Sequence, residues 1–292
     1  MRVDANGVQI EVERSGAGEP MVLVMGIGAQ LVLWPDAFCA HLAELGFEVI
    51  RIDNRDVGLS THLHHLPVPD PRATLARAAV GLRIRAPYDL GDMADDVAGV
   101  LDALGIARAH VVGASMGGMI AQTFAIRHPG RIRTLTSIMS STGDRRYVLA
   151  TKPRALRALL RTVPRSREEA ADATMRTFRV IGSQTHAPDE TFLRAAAARA
   201  FDRGVNPAGF ARQLAAICAS GSRREALRSL RVPTLVVHGT QDPLIAASAG
   251  RATARLVPNA RLLELGDMGH DLPGPLQRTI AGAIGALAAS AR

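Results

Sequence analysis

The chain is short of aromatic residues: phenylalanine, tyrosine and tryptophan make up 3% of its 292 positions, and Trp34 is its one tryptophan. That scarcity leaves no stacking platform of the kind single-stranded nucleic acids need. Lysine is rarer still. Lys152 is the single lysine among 35 basic residues, so the formal net charge of +8 is carried almost wholly by arginine. The arginines are spread along helical stretches rather than gathered in a block, which reads as a solvated surface and not a nucleic-acid partner. Cysteine occurs twice, at Cys39 and Cys218, both in apolar helical patterns. Buried thiols are expected there, with neither a disulfide framework nor a zinc site. No run of 18 or more apolar residues is present, so no membrane-spanning helix is expected. The opening MRVDANGVQIEVERSG alternates like a strand and lacks the apolar centre of a secretory signal, which makes the cytoplasm the expected location.

What is present is ordinary globular composition, 47% hydrophobic and 21% charged, in a chain long enough for a large core. Val8–Glu13 reads as a strand and residues 15–18 as a turn. Pro20–Met25 is an unbroken apolar run, as expected for a strand covered on both faces of a mostly parallel sheet. Trp34–Leu45 has helical periodicity, with Pro35 in its first turn and Gly46 beyond its end. Phe47–Asp53 is a second buried strand. Residues 61–90, rich in proline, read as an irregular excursion. Asp89–Leu104 is an amphipathic helix, and Arg133–Met139 a strand. From 141 to 220 the pattern is helical throughout, rich in alanine and arginine. Strand character returns at Pro233–Gly239 and Arg261–Leu265, with helices at Ser248–Leu256 and Pro275–Ala289. Strands alternating with helices imply an open α/β sheet, with its ligand site off the carboxyl ends of the strands. The expected organisation is a core of residues 1–140 and 221–292, with 141–220 inserted as a helical cap. Glycines 182, 204, 209 and 221 suggest that this cap is a mobile lid.

The most informative stretch is Ala109–Ala121, AHVVGASMGGMIA: an apolar strand, then Gly113-Ala114-Ser115-Met116-Gly117, then a helix. This order is what a nucleophile elbow requires, because a serine on so sharp a turn needs neighbours without bulk. Two more strand-end loops carry reactive residues, Asp242 and His270. A serine hydroxyl is a weak nucleophile until a base takes its proton. His270 can do that, and Asp242 can hold the imidazole in the right tautomer. The oxyanion needs donors, for which the backbone N–H groups of Met116 and of Ile27, in the loop after the Pro20–Met25 strand, are the candidates. Asp144 is the rival position for the acid. Asp267 and Asp271 flank His270, but sequence neighbours point apart. His62, His64 and His65 have no cysteine or carboxylate cluster beside them and read as a solvated loop. His128 and His238 read as structural, and Asp53 and Arg55 as braces of the 54–60 loop.

With these motifs in place the chain resembles the α/β-hydrolase superfamily over almost its whole length. Met25-Gly26 stands where many members have His-Gly. Residues 53–60, DNRDVGLS, are similar to the family's D-x-R-G-x-G-x-S segment, with Asp56 at the usual glycine. Residues 236–243, VVHGTQDP, match its acid loop, and Gly269-His270 its histidine loop. Within the superfamily the chain resembles the aclacinomycin methylesterase-like branch. That resemblance implies an α/β-hydrolase fold, mostly parallel with flanking helices and a cap, and a serine esterase cleaving small-molecule carboxylic esters through an acyl-enzyme without cofactor or metal. Carbon–carbon bond hydrolysis and perhydrolysis use the same triad, and a non-catalytic receptor could keep the scaffold. Leu31, Leu33, Met119, Phe178, Phe192, Phe201, Phe210 and Met268 are apolar residues able to line a pocket or to serve as core.

Overall fold

The computed structural model describes residues 1–160 and 163–291; residues 161 and 162 of the expected insertion lie outside them. The chain opens with a hairpin, β1 (Arg2–Ala5) and β2 (Val8–Gly16). Asn6 and Gly7 join them with φ of 50° and 77°, the left-handed pair a two-residue hairpin turn demands. The strand β2 runs past the expected Glu13, because Ser15 and Gly16 pair with Val49 and Glu48 of β4 (Phe47–Ile52); the turn shrinks accordingly. Between them lie β3 (Glu19–Val24) and α1 (Asp36–Glu44). The excursion at 61–90 contains a helix that its prolines do not suggest, α2 (Pro71–Val80). Its signals are conventional: the Asp70 carboxylate accepts from Ala73 N–H, Pro71 opens the first turn and Gly81 closes the helix in the left-handed region.

The remaining elements are α3 (Leu90–Ala103), β5 (Ala109–Ala114), α4 (Met116–Arg127) and β6 (Ile132–Ile138). Among the described residues of 141–220 five helices follow: α5 (Arg145–Leu149), α6 (Pro153–Leu159), α7 (Arg167–Ile181), α8 (Glu190–Asp202) and α9 (Pro207–Ser220). Then come α10 (Arg224–Arg228), β7 (Thr234–Gly239), α11 (Ala247–Leu256), β8 (Arg261–Leu265) and α12 (Gly274–Ala289). The eight strands form one sheet in the order β1-β2-β4-β3-β5-β6-β7-β8, antiparallel at the β1–β2 and β2–β4 pairs and parallel elsewhere.

The apolar run of β3 divides by the two-residue period of a strand. Val22 and Val24 face a core with Met93, Val97 and Leu101 of α3 and Phe124 of α4. Met21 and Leu23 face a second core with Phe38 and Leu42 of α1 and Ile280 and Ile284 of α12. A strand apolar on both faces is therefore sandwiched between helix layers. Cys39 is buried as expected, whereas Cys218 is only half-buried; burial pushes both thiols up to about 11. Among the described residues, no helix is long and apolar enough to cross a membrane.

Candidate active site

Ser115 stands between the last residue of β5 and the first of α4, with φ 57° and ψ −118°. For a residue other than glycine that backbone is strained, by on the order of 1–3 kcal/mol. The flanking glycines make the strain tolerable by letting backbones approach. A Cβ at Gly113 would lie 2.0 Å from Gly117 O, and one at Gly117 would lie 1.9 Å from Val24 O. The turn is pinned by Ser115 N–H to Ile138 O at 2.9 Å and by Ser140 Oγ–H to Ser115 O at 2.7 Å. The Ser115 side chain, in contrast, makes no hydrogen bond among the described residues. The loop after β3 presses against it: a Cβ at Gly26 would lie 3.2 Å from Ser115 Cβ and 3.6 Å from its Oγ. The backbone N–H groups of Ile27 and Met116 donate to no protein acceptor among the described residues. Met116 N–H also opens α4, where the helix dipole favours negative charge.

Asp242 and His270 meet, with His270 Nδ1 and Asp242 Oδ2 2.7 Å apart and both side chains almost fully buried. The other carboxylate oxygen accepts from Leu244 N–H at 2.8 Å and Ile245 N–H at 2.9 Å, which fixes the carboxylate plane. His238 sits under the pair, Nε2 3.4 Å from Asp242 Oδ2 and 2.8 Å from Ile245 O. Burial alone would raise the Asp242 pKa, but His270 and His238 outweigh it and bring it down to about 2. His270 and Ser115 line the same cavity, of about 430 Å³.

The other candidates are placed elsewhere. Asp144 is held by Ser222, Thr142 and Arg224. Asp267 pairs with His186 at 2.8 Å. Asp271 accepts from Ser183 Oγ–H at 2.6 Å and from Ser183 N–H. His62 Nε2 lies 3.0 Å from Gly58 O, and His64 and His65 are exposed. His128 pairs with Asp95 at 2.7 Å. Asp53 accepts from Leu31 and Leu59 N–H, and Arg55 grips Asp96, so both brace the loop. Of the apolar candidates, Leu31, Met119 and Met268 are core. Leu33, Phe178 and Phe192 line the cavity of Ser115. Phe201 and Phe210 line a second cavity of about 580 Å³ that shares Ile27, Ala29, Leu33, Leu159 and Phe178 with the first.

The motif pattern is silent on how firmly the insertion is tied to the loops of the site. Asp56, at φ 69° and fully buried, receives two hydrogen bonds from the equally buried Arg212 of α9, at 2.7 and 2.8 Å. Burial would raise the Asp56 carboxyl, yet Arg212, Leu63 N–H and Tyr88 hold it below its usual value. Arg203 bonds Asp53 and Gln30, and Gln213 bonds Gly28 and Arg55. On the other side, His270 N–H donates to Ile181 O at 2.8 Å, and Gly269 N–H to Ser183 Oγ at 2.9 Å. Two of the glycines named for the expected lid make close contacts. A Cβ at Gly209 would lie 2.3 Å from Asp56 O, and Gly182 abuts both Gly269 and Asp271. A carboxylate replacing a glycine in a buried loop was the one available signal, since it demands a buried cation.

Known proteins share this architecture. The chain is 27% identical to rhodomycin D methylesterase of Streptomyces sp. (strain C5), over 92% of this chain and 90% of that one. It is 29% identical to 2-hydroxymuconate semialdehyde hydrolase of Pseudomonas sp. (strain CF600), over 91% and 85% respectively. The enol-lactonase structure from Burkholderia xenovorans LB400 superposes with a TM-score of 0.73 at 23% identity, covering 98% of this chain and 99% of that one, a likeness of fold. Residues 19–273 match the family described as the alpha/beta hydrolase fold, and the chain belongs to that family.

Proposed function

We propose that the protein hydrolyses carboxylic esters through an acyl-enzyme formed on Ser115. The observation that carries this reading is the buried His270–Asp242 pair opening onto the same cavity as a strained, unbonded Ser115 hydroxyl. His270 Nε2 takes the Ser115 proton as Oγ attacks the ester carbonyl carbon. The negative charge that develops on the carbonyl oxygen is met by the Ile27 and Met116 N–H groups, each such donor being worth about 3–4 kcal/mol. The tetrahedral adduct collapses, the alcohol leaves with the proton held by His270, and Asp242 stabilises the imidazolium meanwhile. Water, deprotonated by His270, then attacks the acyl group and frees Ser115. No step calls for a cofactor or metal.

The two adjoining cavities leave room for a large apolar substrate, and the methylesterase name of the Streptomyces relative favours the methyl ester of a bulky acid. The helices between β6 and β7 supply Leu159, Phe178 and Phe192 to the wall over Ser115, which supports residues 141–220 acting as a cap. Intact-mass analysis after reaction with a fluorophosphonate tests the chemistry. One adduct on the wild type and none on Ser115→Ala is expected, followed by turnover of methyl esters of bulky acids. A wild type that forms no adduct, or that cleaves vinylogous diketones far better than any ester, would sink the ester reading.

A further inference from the structure

The loop carrying Ile27 is a four-residue turn, closed by Ala29 N–H to Gly26 O at 3.2 Å, with Gly28 at φ +62°. A glycine of positive φ at the third position is the type II arrangement. The Ile27 N–H lies in the first peptide of this turn, Gly26–Ile27, so its aim follows the placement of the turn as a whole. Gly28 is exposed to the cavity, so little packing from its own domain restrains it.

What restrains it comes from the insertion. Gln213 on α9 is fully buried, and its Oε1 accepts the Gly28 N–H at 2.8 Å. Its Nε2 donates to Arg55 O at 2.9 Å, so the amide orientation is fixed by a donor on one side and an acceptor on the other. One turn earlier on the same helix, Phe210 covers Gly28, its Cδ2 2.8 Å from where a Cβ would stand. The adjacent Arg212 anchors the helix to Asp56. The far end of the loop is held as well, since Gln30 Nε2 donates to Ala200 O and Gly204 O, both at 2.8 Å.

We propose that Gln213 is a positioning residue for the oxyanion donor. By holding the Gly28 N–H it fixes the Gly26–Ala29 turn against the 54–60 loop, and with the turn the Ile27 N–H at its start, and α8–α9 of the insertion form the outer wall of the oxyanion site. The proposal rests on the reading of Ser115 as nucleophile. It assigns this part of the insertion a fixed role in turnover, beyond covering the cavity.

Gln213→Leu removes both hydrogen bonds at similar volume. Leucine is expected to lower kcat by roughly 10- to 100-fold with KM within about threefold. It should weaken a boronic acid, which forms the tetrahedral adduct, by the same factor, and leave a non-hydrolysable ether analogue of the ester unaffected. The rate of fluorophosphonate labelling should fall in parallel, and this readout needs no ester: a wild type that labels but cleaves no ester refutes the esterase reading, while labelling rates still decide on Gln213. Equal labelling rates in wild type and folded Gln213→Leu overturn the proposal. So does a loss shared equally by kcat, KM and ether affinity, which is what a merely distorted pocket gives.

Discussion

Replacing Asp242 by asparagine changes one atom of the carboxylate, and the structure dictates which. Two backbone donors, Leu244 N–H and Ile245 N–H, converge on Oδ1, so the oxygen of the introduced amide must take that place. The amide nitrogen then faces His270 Nδ1, which lies 2.7 Å from Asp242 Oδ2 in the wild type, and it can only donate. Nδ1 is thereby made an acceptor and the imidazole proton moves to Nε2, the nitrogen that has to accept from Ser115 in the proposed mechanism. The proposed general base is then present but in the wrong tautomer. In the analogous serine-protease substitution that inversion lowers kcat by about 10⁴ with the geometry intact, roughly 5 kcal/mol of transition-state stabilisation. Asp242→Asn is expected to lose activity on that scale, in kcat rather than KM, while remaining folded. Steady-state kinetics on a reactive ester, with circular dichroism to confirm the fold, reads this out. A loss below about tenfold, or one carried by KM, would refute the tautomer argument.

Other outcomes follow from the same geometry. The Asp242 pKa is about 2 folded against an ordinary value near 3.9, so its carboxylate adds stability, on the order of 2 kcal/mol, that is complete above about pH 4. That contribution should fade as pH falls from about 4 to about 2, and urea titrations should find the acid limb shallower in Asp242→Asn. Arg212→Leu leaves the Asp56 carboxylate buried without its cation, and urea denaturation should report a loss of about 3–5 kcal/mol. Gly117→Ala drives a methyl group to 1.9 Å from Val24 O, so the elbow must open; fluorophosphonate labelling should vanish and the melting temperature should fall by several degrees.

The sheet is largely legible in the sequence because buried strands have a strong signature. The run at 20–25 is apolar without interruption, those at 47–53 and 233–239 are largely so, and the two faces of β3 turn out to serve two different cores. Ser115, Asp242 and His270 are legible for another reason: each sits in a loop of glycine-rich, turn-forming residues whose spacing betrays a tight strand end. The helix α2 is obscured by the prolines around it, although Asp70-Pro71 and Gly81 are ordinary start and stop signals. Gln213 and Arg212 are hidden because their partners lie more than 150 positions away, and the helix that carries them looks like any alanine-rich amphipathic segment. His238 reads as structural, and its place beneath Asp242 depends on the turn at Pro243, which no periodicity announces.

Asp56 and Arg212 also constrain how this protein can change over generations. Aspartate at a left-handed backbone position is tolerable only with its cation, and a guanidinium sealed in the interior is tolerable only with its carboxylate. Either single replacement strands a buried charge, whereas glycine at 56 together with an aliphatic residue at 212 relieves the backbone and removes both charges at once. The two sites thus behave as one heritable unit spanning 156 positions of sequence. A lineage could cross between the two solutions only through a less stable intermediate or a simultaneous double change.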